Sequence, residues 1–148
     1  MQRRPAYKTF MTYPDSLIRQ TLTDSRVIAM VGASPKSNRP SYGVMRYLLD
    51  KGHMVYPINP TCVGGIIHGQ SVLSSLDEVS EPIDMVDIFR RSELAGDAVD
   101  DAIRIGAKSV WMQLGVIDNA AAHRATEAGL NVIMDRCPVI EYRRLGMD

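Results

Sequence analysis

Gly32, Ala33, Ser34, Lys36, Arg39, Pro40 and Ser41 follow in quick succession behind the apolar run Val27-Ile28-Ala29-Met30-Val31. Several of these residue types suit a phosphate. Gly32 can take a positive φ and lets a ligand come close to the backbone. Arg39 carries a planar fork that matches phosphate oxygens, and Lys36 adds a mobile positive charge. Ser41, behind Pro40, is placed to cap a helix whose free N–H groups would face the loop. Together these residues suit a polyanion such as a pyrophosphate held at a helix N-terminus. The second and third glycines of the dinucleotide fingerprint G-x-G-x-x-G are missing, so the loop is not of that standard form. A plain strand-to-helix loop with a proline brake and solvated charges is the competing reading.

Further candidates stand behind the later apolar runs. Asn59-Pro60 occupies the place where a classical NAD site carries an acidic residue for the ribose hydroxyls. A neutral Asn59 would not repel a phosphate on that ribose, although Asn-Pro also stops strands routinely. Phe89 could pack against an adenine or a pantetheine-like arm, and Arg90 could enter a crevice; equally, they form a core aromatic and an exposed strand end. Gln113 can present an amide to a ligand and Gly115 permits close approach, while Trp111 reads as core. Cys137 beside Arg136 is the candidate reactive thiol, against the plainer reading of an unreactive, partly buried cysteine. No catalytic residue is legible. His53, His68 and His123 lack ligand spacing, and His53 and His123 read as surface residues. No Walker A loop, nucleophile elbow or convincing acid–base pair is present. Asp77, Glu78, Asp97, Asp100 and Asp101 read as solvated helix faces.

Such candidates need a scaffold that gathers several strand ends. The pattern predicts a short helix after Pro14, a strand over Arg26–Ala33, a helix over Ser41–Lys51 closed by Gly52, and a strand over Met54–Ile58. An irregular excursion over 61–70 and a helical turn within Ser74–Val79 come next. A strand over Met85–Phe89, a helix capped by Ser92 and closed by Gly106, a strand over Ser109–Gln113, a helix over Asn119–Ala128 and a strand over Asn131–Met134 complete the series. The strands are apolar without alternation, as when both faces are covered. The expectation is an α/β fold: a doubly wound, Rossmann-like parallel sheet of about five strands in the order 3-2-1-4-5, with helices on both faces. The crevice would lie at the carboxyl ends of the first and fourth strands. Residues 1–13 read as a loose arm and residues 1–148 as a single domain.

Composition narrows the classes. The 148 residues hold 17 Lys and Arg against 17 Asp and Glu, so nothing global points to nucleic acid or a membrane surface. No apolar run approaches the ~18 residues of a membrane span. Two distant cysteines without C-x-x-C spacing, and no secretion signal, predict a reduced cytoplasmic protein.

With its motifs in this order the chain resembles the small CoA-binding proteins of the Rossmann class. These are single-domain relatives of the CoA-binding domain of succinyl-CoA synthetase α subunits and ADP-forming acyl-CoA synthetases. The residues that carry the resemblance are Val31-Gly32-Ala33-Ser34 with Arg39-Pro40-Ser41-Tyr42-Gly43-Val44, Tyr56-Pro57-Ile58-Asn59-Pro60, Val86-Asp87-Ile88-Phe89-Arg90, Val110-Trp111-Met112-Gln113-Leu114-Gly115 and Met134-Asp135-Arg136-Cys137-Pro138. It covers about residues 15–142. The resemblance implies a site for CoA or acyl-CoA. Gly32, Ala33, Ser34, Arg39, Pro40, Ser41 and Val44 would stand at the pyrophosphate and adenosine side, and Asn59, Pro60, Phe89, Arg90, Gln113 and Gly115 would line the rest. The chain is too short for the phosphohistidine and nucleotide-grasp parts of the larger synthetases, so their ligase chemistry is not implied. The leading expectation is a protein that binds CoA or acyl-CoA without catalysis of its own. An NAD(P)-linked oxidoreductase or redox sensor, a thiol-chemistry protein using Cys137, and an interaction subunit of unspecified protein partner are the alternatives.

Overall fold

The computed structural model describes residues 12–148. Along the chain run α1 (Asp15–Asp24), β1 (Val27–Val31), α2 (Pro40–Asp50), β2 (Met54–Ile58), the two-residue strands β3 (Ile66–Ile67) and β4 (Gln70–Ser71), and a short 3-10 turn (Leu76–Glu78). Then come β5 (Met85–Ile88), α3 (Ser92–Arg104), β6 (Ser109–Met112), α4 (Asn119–Glu127), β7 (Asn131–Met134) and α5 (Pro138–Arg144).

Every residue of β1, β5 and β6 is buried, and successive residues feed two different cores. Ala29, Val31, Val86, Ile88, Val110 and Met112 pack with the small apolar face of α3 (Ala95, Ala98, Val99, Ala102) and with Ala121 and Ala125 of α4. Ile28, Met30, Met85, Trp111 and Ile133 pack with Ile18 and Leu22 of α1, Val44, Met45 and Leu48 of α2, and Tyr142 of α5. This two-sided burial is why the strands read as continuous apolar runs. The fold is the expected doubly wound α/β sheet with helices on both faces. Among the described residues no helix is long and apolar enough to cross a membrane.

The strand order corrects the expectation. The five parallel strands lie in the order β2-β1-β5-β6-β7, which is 2-1-3-4-5 among the main strands rather than 3-2-1-4-5. Pro57 gives the physical reason. Its carbonyl faces away from β1 and accepts from Leu73 N at 2.9 Å, so the N–H that proline lacks would also face outward. A strand added there would miss a ladder bond, which confines β2 to the edge. Met85–Ile88, buried throughout, takes the interior place beside β1 instead. The point where the strand order reverses, and the crevice that goes with it, therefore falls between β1 and β5.

Other differences are local. The excursion over 61–70 holds β3 and runs into β4, which pair antiparallel, with Ile67 buried in the α2-side core. Helix α5 was not foreseen. Of the arm expected over 1–13, residues 1–11 lie outside the described residues, while Tyr13 is anchored: its hydroxyl accepts from Met134 N at 2.9 Å and the Arg136 guanidinium lies 5.2 Å from its ring.

Candidate functional site

A groove of about 790 Å³ opens at the carboxyl edge of the sheet. Its walls come from the loop after β1, the first two turns of α2, the ends of β5 and β6, and the start of α5. Of the residues expected from sequence, Gly32, Ser34, Arg39, Pro40, Ser41, Val44, Phe89, Arg90, Gln113, Gly115 and Cys137 all line it.

Gly32 fixes the floor. It has φ +86°, and a Cβ built there would lie 2.2 Å from the Phe89 carbonyl oxygen. The Gly32 N–H donates to Ile58 O at 2.9 Å. The glycine is therefore required for backbone to pass backbone between β1 and β5, a different demand from the ligand approach expected of it. Gly115 also has positive φ (+85°), but a Cβ there would meet nothing; its N–H donates to Asp135 Oδ1 at 2.7 Å and so ties the ends of β6 and β7 together.

The loop that follows is tied by serines. Helix α2 begins at Pro40 with Arg39 as its N-cap residue, so Ser41 sits inside the first turn and does not cap it. A proline at this first position suits its fixed φ and missing donor. The buried Ser41 Oγ instead accepts from Ser34 N at 3.0 Å, and Ser34 Oγ accepts from Lys36 N at 3.1 Å. The positive end of the α2 dipole is thereby held against the groove. Ser92 likewise begins α3 rather than capping it; its hydroxyl accepts from Ile117 N at 2.9 Å.

Four expected residues lie elsewhere. Ala33 is 1% exposed and packs in the α2-side core. Lys36 is exposed beyond the groove. The Asn59 amide is spent on the chain itself: Nδ2 donates to Ala33 O at 2.8 Å, and Oδ1 accepts from Thr61 N and Thr61 Oγ1. Pro60 lines a smaller recess of about 190 Å³, formed with Ile58, Leu76, Leu94, the carboxylates Asp97 and Asp101 and, at its border with the main groove, Arg90.

Sequence reading missed several wall residues: Tyr47, Arg91, Leu114, Val116, Val139, Ile140 and Arg143. Three of them belong to α5, for which Pro138 at the first helical position was the available signal. Leu114 and Ile140 are 58% and 49% exposed, so one stretch of the groove is apolar and open. Among the described residues the side chains of Arg39, Arg90 and Arg91 make no hydrogen bond or ion pair, and Arg143 meets only the Tyr47 ring, 5.5 Å from its centroid. Among the described residues no carboxylate and no imidazole lines the groove.

The helix behind the groove wall is held by a buried histidine. His53, expected at the surface, is 9% exposed. Its Nδ1 donates to Ser25 O at 2.5 Å, which leaves Nε2 to accept from the Tyr142 hydroxyl at 2.6 Å. Burial holds its pKa below the ordinary 6.5. Two further expectations hold: Trp111 is fully buried, with Nε1 donating to Arg136 O at 2.9 Å, and His123 is exposed. Asp87, between Met30 and Trp111 in the register, is fully buried, and no described group hydrogen-bonds either carboxylate oxygen. Burial pushes its carboxyl up to about 8, so it is protonated at neutral pH.

Comparison with known proteins agrees with this architecture. A family profile described as "CoA binding domain" matches residues 26–143. The chain is 36% identical over 120 residues to "Uncharacterized protein YneT" of Bacillus subtilis (strain 168), covering 81% of this chain and 87% of that one. It is similar to the structure of a "hypothetical protein from Pyrococcus horikoshii OT3", with TM-score 0.85, 38% identity and 98% of each chain covered. It is also similar to cell-free ID.343 from Thermus thermophilus, with TM-score 0.85, 32% identity, and 90% of this chain and 99% of that one covered. From sequence and fold together, the chain belongs to the CoA-binding domain family.

Proposed function

We propose that this chain holds CoA or an acyl-CoA in the groove as a cytoplasmic, single-domain binding protein, without chemistry of its own. The observation that carries the reading is the wall of arginines: Arg39, Arg90, Arg91 and Arg143 line one groove that, among the described residues, no carboxylate lines. A ligand with several phosphates would neutralise them, and guanidinium forks suit its oxygens. In this reading the diphosphate lies against Gly32, Ser34 and the first turn of α2, with Arg39 and Arg90 as its direct partners. The adenine takes the smaller recess past Arg90, between Pro60, Leu76 and Leu94, and Lys36 approaches from outside as a mobile counter-charge. The pantetheine arm runs along Phe89 toward Val116, Val139 and Ile140. The open apolar stretch at Leu114 and Ile140 leaves room for an acyl group. A groove whose ionisable lining is four arginines, a tyrosine and a cysteine favours holding a ligand over acid–base turnover.

Isothermal titration calorimetry with CoA, acetyl-CoA, dephospho-CoA, NAD and NADP tests this. CoA is expected to bind about tenfold or more tightly than dephospho-CoA and both dinucleotides. Equal affinity for CoA and dephospho-CoA removes the contact to the ribose phosphate. Tighter binding of NADP than of CoA overturns the reading.

A further inference from the structure

Among the described residues only two besides glycine have positive φ: His68 (+48°) and Asp135 (+61°). Neither lines the groove, yet each hydrogen-bonds a segment that does. His68 and Gly69 (φ +82°) form the two-residue turn between β3 and β4, and the buried Ile67 roots that pair in the α2-side core. A turn with both residues at positive φ favours Asn at its first place. Histidine there adds a ring, whose centroid lies 4.1 Å from that of Tyr42. A carbonyl only accepts, so His68 Nε2 carries the hydrogen and donates to Tyr42 O at 2.8 Å. Tyr42 stands in the first turn of α2 between Ser41 and Gly43, both of which line the groove. Asp135 follows β7. Its N–H donates to Met112 O at 2.9 Å, and its Oδ1 accepts from Gly115 N at 2.7 Å. Leu114 and Gly115 line the groove, and so does Cys137, two residues beyond Asp135. Left-handed backbone at a non-glycine residue costs free energy and persists only where the surroundings hold it, as they do at ligand clamps.

We propose that His68 and Asp135 are positioning residues, one for each end of the groove: His68 sets the first turn of α2 against the phosphates, and Asp135 sets the Leu114–Gly115 lip along which the arm and acyl group pass. This rests on the reading that the groove holds CoA. Neither side chain touches the ligand. Each fixes, from outside the groove, the backbone of residues that line it, and a site binds tightly only when its walls are fixed in this way. A merely structural role would weaken every ligand alike or none; two braces at two ends make the loss depend on how far the ligand reaches.

Calorimetry of the full chain with CoA and with adenosine 3′,5′-bisphosphate, which lacks the arm, tests the assignment. Asp135→Gly keeps positive φ accessible and removes only the carboxylate. His68→Asn keeps the turn and removes the ring. Asp135→Gly is expected to lower CoA affinity about threefold to tenfold and to leave the bisphosphate within about twofold. His68→Asn is expected to lower both affinities about threefold to tenfold, since both ligands carry phosphates to α2. Asp135→Asn, whose Oδ1 still accepts, should stay within about twofold of the wild type for both. Hydrogen exchange supplies a readout that needs no variant. Gly115 is exposed, yet its amide in the ligand-free wild type should exchange about tenfold or more slowly than an unbonded amide. Fast exchange there, or an Asp135→Asn chain as weak as Asp135→Gly, overturns the role of Asp135. Equal losses of the two ligands in Asp135→Gly, or a loss confined to CoA in His68→Asn, overturns the division into two ends, as does CoA binding with no measurable binding of the bisphosphate. CoA affinity unchanged in both Asp135→Gly and His68→Asn overturns the whole assignment and leaves CoA binding intact. A wild-type chain that does not bind CoA overturns the CoA reading and this assignment with it.

Discussion

The arginines of the outer surface and those of the groove differ in what they meet. Outside, Arg46 meets Asp50, Arg104 meets Asp77 and Asp101, Arg124 meets Asp100, and Arg144 meets Glu141 and Asp15, at 2.6 to 3.4 Å. In the groove, among the described residues, Arg39, Arg90 and Arg91 meet no carboxylate, and Arg143 has only an aromatic face. A formal charge of zero therefore conceals a local excess of cations on low-dielectric walls, where a field is focused rather than cancelled. Global charge says nothing about one cleft.

The contrast breaks most severely if the floor beneath those cations fails. Gly32→Ala is expected to destabilise the chain by about 3–5 kcal/mol in urea titration, because both φ and the Phe89 carbonyl forbid a side chain. Gly129→Ala, at φ +93° but with open space around it, should cost only about 1 kcal/mol. Similar losses at the two positions would remove the claim that the strand crossing is special. Next in size, Arg39→Ala and Arg90→Ala should each lower CoA affinity about tenfold to a hundredfold in calorimetry, more at low salt, with thermal midpoints unchanged. Arg104→Ala, on the paired surface, should change neither quantity measurably. If Arg104→Ala weakens CoA as much as the groove variants, the two populations are one.

A titration separates burial from charge. Asp87 has its carboxyl raised from 3.8 to about 8 in the folded state. Between those values the native chain keeps a proton that the unfolded chain has released. The stability this contributes is full below about pH 4 and is lost as pH rises through about 8, at no more than about 1.4 kcal/mol per pH unit. Urea midpoints recorded from pH 5 to pH 9 should fall for the wild type and flatten for Asp87→Asn; parallel slopes would show that Asp87 is not the group responsible. Smallest of all, Cys137→Ser should leave CoA affinity within about twofold, since the groove is held by other residues. Any covalent CoA adduct seen by intact mass should vanish with it, and an adduct that persists rules Cys137 out.

Much of this was legible along the chain. Unbroken apolar runs gave the doubly wound class, and the loop with Gly32, Arg39 and Ser41 marked the groove. Strand order is not legible from Pro57 alone, since its meaning depends on which side of the strand the missing donor faces, and that requires a register. Helix α5 spans seven residues, too few for an amphipathic repeat, and with it went Val139, Ile140 and Arg143. Asn59 was placed at a ligand because its type fits one; the bonds to Ala33 and Thr61 that occupy it depend on a turn that sequence does not reveal. His53 was misplaced for a like reason, as its two partners lie 28 and 89 positions away.

The two outermost strands have a consequence for assembly. On one flank Pro57 withholds a donor and Leu73 occupies its carbonyl; on the other, the Tyr13 hydroxyl sits on the Met134 amide. Each border of the sheet is thus plugged at one rung against edge-to-edge extension by a neighbouring copy. Strand addition by a second copy is thereby disfavoured at both borders.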